Sequence, residues 1–180
     1  MELNPSINSW DWLGPGIYFW EDNPKRALQY AEECALGTQK NLKRIISPFV
    51  LGAGIHLGTC LNLLEPQAMA IIQKAHNWLL ALTVNSGEPM PKNDGPRRNL
   101  DCAVIKFAHQ MVKEAGIVYD SVRSAFSEGK PVYPGSNFST RGHIEVCVNN
   151  PLMIKGYFLP RPVDEFNPYL RKEFQPLLRA

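Results

Sequence analysis

Residues 13–33 read LGPGIYFWEDNPKRALQYAEE, and no other stretch of the chain limits the fold so tightly. Two glycines bracket a proline, three aromatics follow without a break, and a helix start comes directly after them. The β-branched and aromatic run makes residues 15–20 a strand. Asp22 or Asn23 then caps a helix whose first position is Pro24, where a missing N–H costs nothing. Alternation on the strand sends Tyr18 and Trp20 to one face and Phe19 to the other. Two readings of that alternation stand: a strand buried on both faces, or one whose second face is a concave aromatic wall.

The rest of the chain mixes strands and helices without regular order. The first helix has Ala27, Tyr30, Ala31 and Cys34 as its inner stripe and stops at Gly37. SPFVLGAGIHLGTCLNLL follows, a strand region broken by glycines. Its GAGIHLG resembles a dinucleotide-binding turn, but that turn works only where a helix opens on the glycines. Only TCLNLLE separates it from Pro66, so residues 50–63 are expected to be strand. Pro66 opens a long helix with Met69, Ile72, Ala75, Leu79 and Leu82 inward, ending near Gly87. After the loop GEPMPKNDGPRR, Asn99 caps a third helix that Gly116 stops. Short strands are expected at 117–124 and 130–133, then in HIEVCV and MIKGYFLP. In the tail, 161–180, Phe166, Leu170, Phe174 and Leu177 have the spacing of a docking helix. The pattern is α+β in a single domain over 1–180.

Composition excludes several classes of function. A net charge of +2, with 20% charged and 44% hydrophobic residues, describes a globule with no preference for polyanions. Lys40, Lys43, Arg44, Arg97 and Arg98 read as solvated faces rather than a nucleic-acid patch. No apolar run is long enough for a membrane span and no signal-peptide pattern is present. Cys34, Cys60, Cys102 and Cys147 lie far apart without metal-ligand spacing, which suits reduced thiols and a cytoplasmic protein. There is no HExxH, no P-loop and no nucleophile elbow.

Acidic candidates are few. In GHIEVCVNNP, His143, Glu145 and Cys147 share one strand face, and Ile144, Val146 and Val148 share the other. Glu145 sits either on a solvated edge or in a cleft, with His143 as its neighbour. Glu128, in the turn SEGKP, is an exposed turn residue or an acid overhanging a cleft. Arg123 pairs with a structural acid or with an anion, while His56, His76 and His109 suit packing.

Three segments, taken in order, carry a resemblance. LGPGIYFWEDNPKRALQYA resembles the G-x-G-I-Y-F segment of the poly(ADP-ribose) polymerases and the wider ADP-ribosyltransferase superfamily. FVLGAGIHLGTCLNLLEP is similar to the strand pair that follows there, and HIEVCVNNPLMIKGYFLP to the late strand bearing a glutamate. The resemblance implies two packed antiparallel sheets forming an NAD cleft, with a helical insertion around 65–116. It implies that Tyr18 packs on nicotinamide, that Tyr30 is a second stacking aromatic, and that Trp20 and His143 also line the cleft, with Phe19 in the core. It implies that Gly14 and Gly16 let the backbone approach NAD and that Glu145 is catalytic, with Glu128 as a second acid. The activity implied is transfer of ADP-ribose from NAD to a macromolecular acceptor, in the first instance a protein, as a bacterial toxin or effector does. The alternative is a catalytically inactive remnant acting as a binding module. Nothing ahead of Trp10 matches the family's opening His-Gly strand. The chain as it stands is therefore expected to bind NAD weakly or not at all, to be a transferase only if that strand is supplied, and to offer an uncovered sheet edge for self-association.

Overall fold

A computed structural model describes residues 3–37 and 46–170. In chain order its elements are β1 (Ile17–Trp20), α1 (Pro24–Ala35), β2 (Gly52–Ile55), β3 (Cys60–Asn62), α2 (Pro66–Ser86), β4 (Asn93–Asp94), β5 (Arg97–Arg98), α3 (Asn99–Glu114), β6 (Ser121–Phe126), β7 (His143–Val148), β8 (Ile154–Phe158) and α4 (Val163–Phe166). These form an α+β structure of two compact units, each woven from three stretches of chain. One takes the chain up to Phe19, His56–Ser127 and Ile144–Met153; the other takes Trp20–Ile55, Glu128–His143 and the chain from Ile154 on.

The first unit is built on a sheet of order β1-β7-β6-β3. Cys60, Leu61 and Asn62 pair parallel with Ser121, Val122 and Arg123, which corrects the expectation of purely antiparallel sheets. The reason lies in the helices between them. A parallel pair needs a crossover too long for a hairpin, and α2 with α3 supplies it. Residues 66–114 therefore form the helical excursion anticipated from the sequence. Leu13, Leu61, Ile105, Val112, Val122 and Cys147 fill the core beneath it.

The helices themselves depart from the simple stripe. In α2, Ala68 and Ala75 are buried and Ile71, Ile72 and Leu79 pack beside α3, whereas Met69 and Leu82 are half exposed. The helix carries apolar residues on nearly every side, so periodicity alone did not fix its rotation. The α3 start is also different: Asn93 Oδ1 accepts from the Leu100 and Asp101 N–H groups at 3.0 and 3.3 Å, while Asn99 accepts from Ser9. The β4–β5 hairpin thus brings a cap from six residues upstream of the expected one.

GAGIHLG opens no helix. In the second unit Gly52, Ala53 and Gly54 of β2 pair antiparallel with Phe158, Tyr157 and Gly156 of β8. A side chain at Gly52 would collide with the Phe158 ring. In the first unit Gly58 takes φ +60° against the Asp120 carboxylate, which accepts from the Thr59 N–H at 2.9 Å. Residues 130–133 form no strand; only an isolated bridge joins Pro131 to Ser139. Asn167 holds the end of the described chain in the second unit, accepting from Val50 N–H at 2.7 Å and donating to Val50 C=O at 3.0 Å. Phe174 and Leu177 of the expected docking helix lie outside the described residues, as do Lys40, Lys43 and Arg44. Among the described residues no helix is long and apolar enough to cross a membrane.

Candidate functional site

The first cluster of candidates lies where β1 meets β7. Gly14 turns the chain at φ +78° just before β1, and Tyr18 points back at that turn. Its hydroxyl accepts from Leu13 N–H at 2.8 Å and donates to the Gly14 carbonyl at 2.7 Å. The ring packs on the core cluster that holds Cys147. Burial is the main reason that the phenol is held well above its ordinary pKa, with the charges of Cys147, Asp11 and Glu145 adding to it. Gly14 and Gly16 also have a packing explanation. A Cβ at Gly14 would meet Ile105 at 2.9 Å, and one at Gly16 would overlap the Cys147 sulfur and crowd the Val148 carbonyl at 2.8 Å.

Strand β7 alternates as expected: Val146 and Val148 are buried toward one side, and Cys147 toward the side of Tyr18. Glu145 is two residues from Cys147, hence on the same face. Its carboxylate is close enough to act on both neighbours, raising the Tyr18 phenol and contributing to a Cys147 thiol pushed up to about 12, chiefly by burial. Glu145 itself is half-buried. So Tyr18, Cys147 and Glu145 share one side of the sheet.

The second cluster lies in the other unit and is more polar than its residues announced. Trp20, the last residue of β1, stacks obliquely on Tyr30 of α1, with ring centroids 5.0 Å apart and planes at 48°. Arg26, one turn before Tyr30, places its guanidinium carbon 5.8 Å from the centre of each ring. That guanidinium is buried, with Nη2 donating to Glu128 Oε2 at 2.8 Å and Nη1 4.0 Å from Glu33. Glu33 also pairs with Arg141 at 2.9 Å. Glu128 is therefore neither an idle turn residue nor an isolated acid: it and Arg141 fix the two ends of the loop between β6 and β7 onto one face of α1.

His143 is buried, with Nδ1 2.8 Å from the Arg141 carbonyl. A carbonyl only accepts, so Nδ1 carries the proton. Arg123 donates to Asn62 Oδ1 at 3.3 Å, and His109 packs edge-on against Tyr119, its pKa lowered by burial. All four thiols are free, and three of them are buried. Among the described residues no group of three or more His, Cys, Asp or Glu is placed to hold a metal ion.

Arg26, Glu33 and Arg141 were absent from the sequence-based candidates. A signal for two of them existed. Arg26, Tyr30 and Glu33 are spaced i, i+4, i+7, which is one helix face, and a charged–aromatic–charged stripe beside a buried strand invites a partner. Arg141 had no such signal, because only the closed loop returns it to α1.

No family model matches this chain, and neither the curated proteins nor the solved structures contain a match.

Proposed function

We propose that this protein is an NAD-dependent ADP-ribosyltransferase acting on a protein acceptor. The observation that carries the reading is the pairing of Tyr18 with Glu145 on one face of adjacent strands, in the sequence context that resembles that superfamily. In the reaction, the bond between ribose C1′ and the nicotinamide nitrogen breaks, and its electron pair leaves with the ring. The acceptor's nucleophile forms the new bond to C1′ and loses its proton. Positive charge develops on the ribose as the ring departs. The Glu145 carboxylate, accepting a hydrogen bond from a ribose hydroxyl, strengthens its hold as that charge grows, which is the property that accelerates a reaction. Carboxylates serve glycoside cleavage in the same way. Tyr18 supports the site through its ring, since its hydroxyl is already committed to Leu13 and Gly14.

The full engagement of Tyr18 within its own turn also favours a second reading, a non-catalytic module that keeps the fold. The two separate in one experiment: release of nicotinamide from NAD at millimolar concentration, by the wild-type chain and by Glu145→Gln. The amide is nearly isosteric but lacks the charge that the developing cation needs. Transferase chemistry requires release above background in the wild type and a loss of at least about tenfold in the variant. Equal release by both removes Glu145 from the mechanism, and absence of release by the wild type leaves the binding module.

A further inference from the structure

We propose that α2 is a self-association face, on which this protein pairs with a second copy of itself. The helix spans 21 residues and carries one charged side chain, Lys74. Ala68 and Ala75 turn inward, and Ile71, Ile72 and Leu79 pack beside α3. The remaining surface of the helix is apolar as well: Trp78, Leu80, Leu82 and Val84 are all exposed, Val84 at 72%. Single exposed apolar residues are ordinary, but a helix that is apolar all round belongs in an interior or an interface. The exposed side also has a shape. Ala70, Asn77 and Ala81 are exposed at spacings that put them in one row along the helix. A turn of about 100° per residue sets Trp78 and Leu82 on one side of that row and Leu80 and Val84 on the other.

Shape and charge together select the occupant. A low row between two apolar rims admits a helix that is itself low along its facing row, and α2 of a second copy is such a helix. A two-fold contact sets a patch against itself, so every charge in it meets its own kind. With one charge in 21 residues, α2 suits that contact. Lys74 also leans on its own helix, with Nζ 6.0 Å over the Trp78 ring. A partner recognised by charge would find almost none to read, and an interfacial membrane helix needs a polar face rich in Lys and Arg. Area sets the strength. A helix of 21 residues is about 32 Å long and about 10 Å wide. One face of it offers roughly 300–500 Å² per copy, below the ~800 Å² of a standard interface. The pair is therefore weak, with Kd in the micromolar range. It forms whether or not the protein cleaves NAD.

Sedimentation equilibrium of the full chain, from about 2 to about 200 µM, tests the pairing. The wild type is expected to pass from monomer to dimer across that range. Ala81→Glu fills the row and adds a charge to it, and should weaken the dimer by about tenfold or more. Ala81 is exposed and Glu is a good helix former, so the variant should melt with the wild type. Trp78→Ala removes the largest rim side chain and should weaken the dimer by about fivefold or more, which gives a second reading should Ala81→Glu lose its fold. A dimer unchanged in a folded Ala81→Glu, or in Trp78→Ala, overturns the proposal and places the contact elsewhere, such as the sheet edge at β1. A wild type that stays monomeric at the highest concentration also overturns it. The face then serves a different protein or, if the chain sediments with phosphatidylglycerol vesicles, a lipid surface.

Discussion

The Tyr18 hydroxyl closes the turn that precedes its own strand, donating to the carbonyl of Gly14 across 2.7 Å while accepting from Leu13 N–H at 2.8 Å. Leu13 is among the most deeply buried side chains of the first unit. Tyr18→Phe keeps the ring on the core but takes the acceptor from the Leu13 N–H and leaves the Gly14 carbonyl only the weak Cys147 thiol donor at 3.7 Å. The expected loss is about 1–3 kcal/mol of unfolding free energy, read as a lowered urea midpoint at unchanged slope. If the ring alone serves nicotinamide, the variant keeps most of its NAD cleavage under conditions where it stays folded. A stability equal to wild type would show that the turn does not depend on the phenol.

Alkaline pH should weaken the fold through its buried thiols and phenol. Burial lifts the Cys147 thiol from its ordinary 9.0 to about 12, and the Tyr18 phenol, Cys34 and Cys102 move in the same upward direction. These groups are neutral when protonated. A folded-state pKa above the unfolded value means that the stability is fully present below the unfolded pKa and is lost as pH rises through the folded one. Unfolding free energy should therefore be flat up to about pH 8 and decline between about 9 and 12. Cys147→Ala should lower stability at neutral pH by leaving a small cavity, and should flatten the alkaline decline. An identical pH slope in the variant would mean that the thiol ionises equally well in both states.

Asn167 behaves as a substitute for a strand residue, exchanging two hydrogen bonds with the backbone of Val50 while itself 1% exposed. Asn167→Asp keeps the acceptor for Val50 N–H but sets a carboxylate oxygen against Val50 C=O. Burying that unmatched charge should cost more than the loss of one ordinary bond, on the order of 2–4 kcal/mol at neutral pH. Part of the loss should return on acidification, because the protonated acid again donates. Differential scanning calorimetry at pH 7 and pH 4 measures both. Wild-type stability in Asn167→Asp at pH 7 would show that the pair is solvated.

Local chemistry was legible wherever a residue decides its own backbone. Asn23 and Pro24 start α1 as their capping and φ preferences require, Gly87 ends α2 in the left-handed region, and the Val-rich alternation of β7 sets Glu145 beside Cys147. The same local logic denied GAGIHLG a helix, since Pro66 leaves no room for one. What local logic does not contain is the partner of each face. Met69 and Leu82 look as apolar as Ile72, and only the packing of α2 on α3 chose between them.

The sequence by itself determined the α+β elements, the helical excursion between β3 and β6, and the side of β7 that carries Glu145, because each follows from propensities and periods of a few residues. Tertiary structure alone decided that β3 and β6 run parallel, that Asn93 caps α3, and that Arg26 joins Glu128 across 102 positions of chain. These contacts depend on which distant segments meet, and a charged side chain on a helix has the same local preferences whether it faces water or a buried carboxylate.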